Sequence, residues 1–514
     1  MFSKVKSCAV HGVDGRMIDV EADVNDGLPV FTMVGYLSSS VRESSERVRT
    51  ALKNSGFHLP PKRITINLSP ADMRKDGSGY DLAIATAVLL SLGVTAELPM
   101  EQTLVLGELS LDGSIKAIPG VLPMVICARE EGMTSCIVPK ENVQEAALVQ
   151  GISVIGVSSL KETMEYIQEI KEYENTNVEQ PAVDTSEYLY DIDFSDVVGQ
   201  ESIKRGMEIA AAGFHNVLLT GAAGAGKSML AKRLPTILPQ MSFEESLEVT
   251  KIYSVGGMLP PEGGLIHRRP FRAPHHTISE YALIGGGRVP TPGEVSFAHY
   301  GVLFLDELPE FSKPVLEVLR QPLEDRRIRI SRVQASYEFP ADFMFVAAMN
   351  PCPCGNYPDY RRCSCTEQQI RRYQSKVSGP LLDRIDIRME VKGVKQEVLF
   401  SKQKTESSKT IRARVEQARQ MQKERFAGTG LLFNSQLDGK NLEEYITLSE
   451  EGKRLVLQLF EEQELSVRGV HRVLKLARTI ADLAGSEEIE HAHLQEAAFY
   501  RNQDVFAKEV LHGN

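Results

Sequence analysis

A glycine-rich segment that ends in a lysine and a serine is the strongest chemical signal in the sequence. Residues 221–228 match the pattern G-x-x-x-x-G-K-[ST] in full, between a short apolar run and a helical pattern. In this pattern backbone N–H groups surround phosphates, the lysine contacts the β- and γ-phosphates, and the serine hydroxyl binds Mg²⁺. The predicted nucleotide-binding residues are Gly221, Ala222, Ala223, Gly224, Ala225, Gly226, Lys227, Ser228 and Met229.

Acidic and amide residues follow two later apolar runs. Val302–Leu305 is followed by Asp306 and Glu307, and Phe345–Met349 is followed by Asn350. A carboxylate at the end of such a strand holds Mg²⁺, usually through water, and the next one orients the water that attacks the γ-phosphate. An amide on an adjacent strand is placed to hold the same water. Together with the glycine-rich loop, these residues predict Mg²⁺-dependent ATP hydrolysis.

Four cysteines lie within 14 residues. Four thiolates suit a closed, tetrahedral Zn²⁺ site, although two residues between the members of a pair are more usual than one. The alternative is four reduced thiols in a Gly- and Pro-rich loop. The predicted zinc ligands are Cys352, Cys354, Cys363 and Cys365, whereas Cys8, Cys127 and Cys136 are expected in the core.

A cluster of arginines surrounds Ile328 and Ile330. Alternation of polar and apolar residues over 324–337 predicts a β-hairpin there. On an acidic chain this positive stripe can bind phosphates without reading bases. The alternative is an interface that pairs with acidic residues of a neighbouring subunit. The arginines are Arg326, Arg327, Arg329 and Arg332.

Composition excludes several broad classes. The chain has 514 residues, a net charge of −11, 42% hydrophobic and 25% charged residues, and seven cysteines. These values are ordinary for a globular protein of about three domains and exclude collagen-like and wholly disordered chains. The longest apolar run, Leu82–Val94, is too short to cross a bilayer. No apolar signal core follows the first residues, so we expect a cytoplasmic protein with no membrane contact.

The elements that position these residues fall into four segments. Residues 1–170 predict one mixed α/β unit, with a strand at Ile64–Leu68 and a buried helix from Asp81. Residues 171–193 are acidic and polar, which is typical of a linker or of an acidic surface loop. Residues 194–395 alternate short apolar runs with helical patterns and predict a parallel α/β sheet. Residues 396–514 are predicted to be helical.

The order of these motifs resembles that of AAA+ ATPases. The stretch 292–310 resembles the magnesium-chelatase branch of that superfamily, and essentially the whole chain resembles the YifB/ComM family within it. Residues 350–355 and 466–472 are specific to that match. The resemblance implies an α/β multidomain fold with a Lon-protease-like α+β N-terminal domain. An AAA+ P-loop core with a parallel sheet and a Cys-rich insert follows, and then a C-terminal helical lid.

The same resemblance implies residue roles that spacing does not give. It implies a homo-oligomeric ring, usually a hexamer, with ATP between subunits. Arg384 lies at the arginine-finger position and Arg468 at that of the sensor-two arginine, while Val198 is implied at the nucleotide. Arg472 could assist, and for each arginine the alternative is an ordinary surface or ion-pair role. The branch also carries an inserted hairpin within 256–293, a second candidate for a pore-facing segment.

The N-terminal unit resembles the Lon protease domain through residues 75–79 and 107–113. Such a protease needs a serine nucleophile activated by a lysine. The resemblance places these two positions at Gly79 and Leu122, with Ser78 one residue out of register. We therefore expect no Ser–Lys dyad and no proteolysis, and instead a role in assembly, partner contact or substrate guidance.

The residues predict ATP hydrolysis. The resemblance to the YifB/ComM family implies a ring motor and, together with the arginine stripe, action on branched DNA, with branch migration in recombination and natural transformation. The expected cofactors are ATP and Mg²⁺, with Zn²⁺ at the cysteines, and the expected partners are further copies of the chain and DNA. One alternative is the ATPase subunit of a metal chelatase. Another is a protein-remodelling complex.

Overall fold

We analysed a computed structural model of the protein. The structure describes residues 1–96, 98–170, 190–260, 264–332, 335–393, 405–462 and 466–502. Most of the predicted linker, residues 171–189, and the predicted boundary at 395/396 lie outside these described residues.

The N-terminal unit is a mixed sheet packed on both faces by helices. Its strand order is β3-β4-β2-β1-β5-β8-β9; β2 is antiparallel to both β1 and β4, and the other neighbouring pairs are parallel. The strands are β1 (Phe2–His11), β2 (Asp14–Asn25), β3 (Phe31–Val34), β4 (Arg63–Ser69), β5 (Thr103–Val105), β6 (Glu108–Leu109), β7 (Ile115–Lys116), β8 (Ser135–Pro139) and β9 (Ser153–Val157). The helices are α1 (Ser39–Asn54), α2 (Asp81–Ser91), α3 (Val121–Glu130), α4 (Val143–Ala146) and α5 (Leu160–Ile167).

Two sequence predictions in this unit are confirmed. Ile64, Ile66 and Leu68 alternate with more exposed residues along β4, as a strand with one buried face requires. Helix α2 is buried on nearly every side, which explains why it carries hydrophobic residues all round.

The second unit is built on a five-stranded parallel sheet. Its order is β11-β14-β17-β10-β18, and every pair is parallel. The strands of this unit are β10 (Val217–Thr220), β11 (Phe271–Arg272), β12 (Gly285–Gly286), β13 (Thr291–Pro292), β14 (Val302–Leu305), β15 (Arg327–Ser331), β16 (Ser336–Pro340), β17 (Met344–Met349) and β18 (Ile387–Glu390). Strands β10, β14 and β17 are wholly buried, which accounts for their continuous apolar sequences.

Short helices connect these strands and cover the sheet. They are α6 (Glu201–Gly213), α7 (Lys227–Arg233), α8 (Phe243–Val255), α9 (Glu280–Ile284), α10 (Glu294–Phe297), α11 (Lys313–Val318), α12 (Arg320–Asp325), α13 (Glu367–Gln374) and α14 (Gly379–Leu382). The predicted hairpin is confirmed and consists of β15 and β16. It buries Ile328 and Phe339, whereas the arginines on either side of Ile328 are exposed. Within 256–293 the structure places the two-residue strands β12 and β13, paired antiparallel.

The chain from residue 408 is helical, as predicted. The helices are α15 (Ser408–Arg425), α16 (Gly439–Tyr445), α17 (Glu450–Glu462), α18 (Val467–Leu483) and α19 (His491–Asn502). The Ser466 hydroxyl accepts a hydrogen bond from the Gly469 amide at 3.1 Å and caps α18. The buried face of α18 packs against α15, α19 and α6, so these helices share one core with the parallel sheet. Within the described ranges, none of the helices combines the length and apolar content that crossing a bilayer requires.

The N-terminal unit contacts the parallel-sheet unit through the end of α8. The Gly120 amide donates to the Ser254 carbonyl at 3.0 Å, and the Lys251 ammonium lies 3.0 Å from the Asp14 carboxylate. The buried carboxylate of Glu145 accepts hydrogen bonds from the Ser254 hydroxyl and, at 2.9 Å, from the Leu122 amide. One carboxylate therefore links the two units. Burial raises the pKa of Glu145 above its usual value, while these donors act against the shift.

We expect Glu145→Ala to destabilise the contact between the two units. The variant leaves the Leu122 amide and the Ser254 hydroxyl without this acceptor, at roughly 1–3 kcal/mol for each buried group left unsatisfied. The exposed Glu141 provides a matched control on the same turn. Thermal unfolding should show a lower midpoint for Glu145→Ala and an unchanged one for Glu141→Ala. Equal midpoints for the two variants would contradict a structural role for the buried carboxylate.

Candidate nucleotide site

The glycine-rich loop lies between β10 and α7, at the carboxyl end of the parallel sheet. Gly226 precedes α7 with φ of 96°, a left-handed conformation that favours glycine. The Lys227 ammonium donates to the carbonyl oxygens of Gly221 at 2.7 Å and Ala222 at 2.9 Å. Burial lowers the pKa of Lys227, and the carboxylates of Asp306 and Glu307 act against this shift. The Lys227 ammonium is therefore held beside the exposed glycine-rich loop.

Two oxygen ligands suitable for Mg²⁺ meet beside this lysine. The Ser228 hydroxyl donates to the Asp306 carboxylate at 2.5 Å. Hydroxyl and carboxylate oxygens are the ligands that this hard cation prefers. The donor set thus fits Mg²⁺, which would supply positive charge to a bound nucleotide.

Asn350 and Glu307 complete the same edge. The Asn350 side-chain oxygen accepts from the Lys227 ammonium at 3.0 Å, because β17 lies next to β10 and both strands end there. Glu307 has φ of 54°, so the chain turns sharply after Asp306 and leaves the Glu307 carboxylate more than half exposed. The His276 ring lies 3.9 Å from this carboxylate. The structure therefore brings together the residues that the sequence predicted for hydrolysis.

The segment that contains Val198 approaches the loop from the side of β18. The Gln200 side-chain amide donates to the carbonyl of Lys392. The Val391 backbone amide donates to the carbonyl of Thr220 at 2.6 Å, directly before the loop. Val198 is half-buried and Met229 is exposed at the start of α7. Contact of either side chain with a nucleotide stays a prediction.

The two predicted catalytic arginines lie at the other edge of the sheet. Arg384 precedes β18, and its carbonyl accepts from the side chain of Asn216, the residue before β10, at 2.9 Å. The Arg384 guanidinium donates to the Pro380 carbonyl and forms an ion pair with Glu324. In the described part of the chain, none of the Arg384 partners belongs to the glycine-rich loop.

Arg468 lies on this same edge. It is exposed at the start of α18 and borders a cavity of about 430 Å³, together with Glu324, Asp386 and Arg472. The Glu324 carboxylate attracts both Arg384 and Arg468, and this attraction lowers its pKa, with Arg384 as the larger cause. The two arginines thus form one positive surface with a shared acidic neighbour.

Arg472 has a structural partner. Its guanidinium donates to the buried Asp386 carboxylate, which also lies 3.4 Å from the His215 ring. Burial alone would raise the pKa of Asp386, but Arg472 and His215 hold it well below its usual value. This ion pair ties α18 to the residue before β18, so it fixes the position of the helical region relative to the sheet.

Sequence reasoning missed Glu324, His276 and Glu338. Arg327 and Arg329 both pair with Glu338, at 2.8 and 2.9 Å, so part of the arginine stripe is neutralised within its own hairpin. Pairing in the hairpin places Glu338 opposite Arg329, a register that alternation within each strand indicates. No local signal identifies Glu324 or His276, because their partners are distant in sequence.

The four predicted zinc ligands converge. Their sulfur atoms all lie within 4.8 Å of one another, and the Cys352 sulfur lies 3.4 Å from that of Cys354 and 3.8 Å from that of Cys363. All four are free cysteines. Cys8 and Cys136 are buried and Cys127 is half-buried in the N-terminal unit.

The residues at the Lon-like positions have other partners. The Ser78 hydroxyl donates to Glu108, and the buried Lys75 ammonium donates to the carbonyls of Pro70 and Met73. Leu122 is fully buried, and its amide donates to Glu145 at the contact between the units.

A parallel sheet with the P-loop, Asp306–Glu307 and Asn350 at its carboxyl edge defines an AAA+ P-loop ATPase. Family models for magnesium chelatase match most of the chain. "Magnesium chelatase, subunit ChlI" matches residues 193–399, "Subunit ChlI of Mg-chelatase" residues 20–142, and "Magnesium chelatase, subunit ChlI C-terminal" residues 405–501.

Comparison with similar proteins identifies the family within this class of ATPases. Competence protein ComM of Haemophilus influenzae is 41% identical over 503 residues, 97% of each chain. The protein YifB of Escherichia coli is 40% identical over 506 residues, 98% of this chain and 97% of its own. Lon protease 2 of Bacillus subtilis is 30% identical over 183 residues, 32% of each chain. The chain belongs to the YifB/ComM family of magnesium-chelatase-like AAA+ ATPases, which implies use of ATP and Mg²⁺.

We expect Lys227→Ala and Glu307→Gln to separate binding from hydrolysis. Lys227→Ala removes the cation that faces the phosphates and should abolish nucleotide binding. Glu307→Gln keeps the lysine and the Mg²⁺ ligands, so it should bind ATP normally and lose roughly 10²-fold or more in turnover, as expected when a positioned catalytic base is removed. Binding of a fluorescent ATP analogue and phosphate release measure the two effects. Normal turnover by Glu307→Gln would refute its role in orienting water.

Proposed function

We propose that the protein is an ATP-hydrolysing ring motor that acts on branched DNA and drives branch migration. Each nucleotide would lie between two subunits, with the glycine-rich loop on one and Arg384 and Arg468 on the other. The observation that supports a ring is that these two groups lie at opposite edges of one parallel sheet.

The distance between the two edges supports an intersubunit site. The residue that holds Arg384, Asn216, precedes β10, and the loop follows it at Gly221. Five residue steps along a strand span about 17 Å at roughly 3.3 Å each. This is farther than an arginine side chain extends, and the Arg384 side chain is held by Glu324 and Pro380. Arg384 therefore does not reach the loop of its own chain. It is buried against Glu324 and would have to leave that partner to meet the phosphates of a neighbouring subunit, whereas Arg468 is exposed at the same edge.

In such a site the roles divide between the two subunits. Lys227 would contact the phosphates, Ser228 and Asp306 would hold Mg²⁺, which would supply positive charge there, and Glu307 would orient the attacking water. The arginine of the neighbour stabilises the charge that develops on the γ-phosphate. Hydrolysis then depends on subunit geometry, which is how a ring couples ATP turnover to movement.

The DNA part of the proposal is supported by the β15–β16 hairpin. Arg327 and Arg329 are about half exposed, and Glu338 is their shared carboxylate partner. The pair therefore keeps an excess of positive charge that can bind a phosphate backbone without base contacts. The similar protein from Haemophilus influenzae is named a competence protein.

Mixing two inactive variants tests the shared site. Arg384→Ala and Lys227→Ala should each lack ATPase activity alone. In mixed rings, an intact loop meets an intact arginine at about one quarter of randomly formed interfaces. We therefore expect mixing to restore activity to about that fraction.

The control for mixing uses two variants of the same edge. Lys227→Ala mixed with Glu307→Gln should stay inactive, because both lesions lie in the same half of the site. If the Arg384→Ala and Lys227→Ala mixture also stays inactive although subunits exchange, the intersubunit role of Arg384 is wrong.

The DNA substrate is tested by ATPase rates without DNA, with duplex and with a four-way junction, at low and moderate salt. We expect strong stimulation by the junction, and its loss in Arg327→Ala/Arg329→Ala. The double variant should also flatten the salt dependence of DNA binding, by about 0.9 in slope for each lost phosphate contact. Glu338→Gln removes the neutralising charge, so it should bind DNA more tightly.

The double variant has a matched control in Arg42→Ala/Arg49→Ala. These two exposed arginines lie on α1 of the N-terminal unit, so the variant removes the same charge elsewhere. It should keep its stimulation by DNA. A rate indifferent to every DNA would instead favour a protein or chelatase partner, with the hairpin arginines at a subunit interface.

A further inference from the structure

The cysteine loop has little to hold its shape besides the four sulfur atoms. Residues 351–365 contain turns but no helix or strand, and Pro351, Cys352 and Gly355 are the residues of this loop that are buried. A loop without an apolar core needs a covalent or metal crosslink to offset its conformational entropy. The four thiols converge on one point, and such a crosslink fits there.

The sulfur geometry fits a single tetrahedral ion. With Zn–S bonds of about 2.3 Å, the sulfur atoms of a tetrahedral site lie about 3.8 Å apart. The sulfur–sulfur distances among Cys352, Cys354 and Cys363 are 3.4, 3.6 and 3.8 Å, and the Cys365 sulfur lies within 4.8 Å of all three. Four sulfur atoms around one centre suit a closed structural zinc site.

Surrounding N–H groups fit thiolates in this position. The Tyr357 amide donates to the Cys352 sulfur at 3.4 Å, and the Asn356 side chain approaches the Cys354 sulfur at 3.8 Å. Such donors offset the negative charge of metal-bound sulfur and orient it.

The loop also touches the nucleotide site. It begins directly after Asn350, which accepts from Lys227. Gly355 adopts φ of 79° and lies against the loop residue Ala223, since a Cβ built on Gly355 would be 3.4 Å from both the Ala223 amide nitrogen and its Cβ. The Gln374 side chain fixes the start of the loop through the Pro351 carbonyl at 2.9 Å. A change in the shape of the cysteine loop would therefore displace the glycine-rich loop.

We propose that Cys352, Cys354, Cys363 and Cys365 bind one Zn²⁺, and that this ion holds Gly355 against Ala223 and so fixes the glycine-rich loop for nucleotide binding. The metal is structural and takes no part in hydrolysis, because four protein ligands leave it no open position. The effect on nucleotide binding rests on the site proposed above, so metal content and nucleotide affinity are measured separately.

Metal content is the first measurement. The full chain, purified without chelators, should carry one zinc per chain by elemental analysis. Cys363→Ser/Cys365→Ser should carry none, and replacement of the metal by Co²⁺ in the unaltered chain should give the absorption of a tetrahedral tetrathiolate. The matched control, Cys127→Ala/Cys136→Ala, removes two thiols from the N-terminal unit and should keep its zinc. Absence of metal, iron in place of zinc, or zinc retained by the Cys363→Ser/Cys365→Ser variant would overturn the site.

Affinity for a fluorescent ATP analogue is the second measurement. We expect zinc removal to weaken binding by about tenfold or more, which corresponds to a loss of about 1.4 kcal/mol in binding free energy. Gly355→Ala keeps all four cysteines, so it should retain zinc and still bind the analogue more weakly. This variant separates the contact from general unfolding of the loop. If the zinc-free protein binds the analogue as well as the zinc-loaded protein, the proposed coupling is wrong, although the metal site stands.

Discussion

The common direction of the five strands in the parallel sheet is the constraint on which the site depends. Because β10, β14 and β17 all end at one edge, Lys227, Asp306 and Asn350 meet there although more than 120 residues separate the first from the last. The same polarity sends Arg384 to the opposite edge, where Asn216 holds its backbone. A parallel sheet thus divides the predicted catalytic groups between two edges, and in the proposed ring the assembly of subunits would bring them together.

Two buried carboxylates transmit the position of this sheet to the rest of the chain. Asp386 binds Arg472 and so fixes the helical region beside Arg384. Glu145 accepts from Ser254 and fixes the N-terminal unit on the end of α8. Each is costly to bury and strongly destabilising to leave unpaired. Movement of the sheet between nucleotide states would therefore carry both neighbouring regions with it as attached bodies.

Local sequence rules predicted the loop, the buried strands, the α18 cap and the arginine hairpin, because each depends on residues a few positions apart. The convergence of the four cysteines also follows from their short spacing. The pairing of Arg384 with Glu324 was not predictable, because nothing local joins residues 60 positions apart. Predicting that Glu338 neutralises Arg327 and Arg329 requires the register of the hairpin. The alternation pattern defines this register only once the positions of both strands are known. The resemblance gave the arginine roles but not the edge on which they lie.

The burial of Leu122 limits which residues its position accepts. At the position that the Lon resemblance gives to a lysine, this chain has a fully buried leucine whose amide is bonded to the carboxylate that joins the two units. A lysine side chain there would enter an apolar cluster shared with α3, at a cost on the order of several kcal/mol for burying its charge. A lysine introduced at this position would therefore loosen the junction between the two units, so the packing of the junction and a Lon-type lysine exclude one another here.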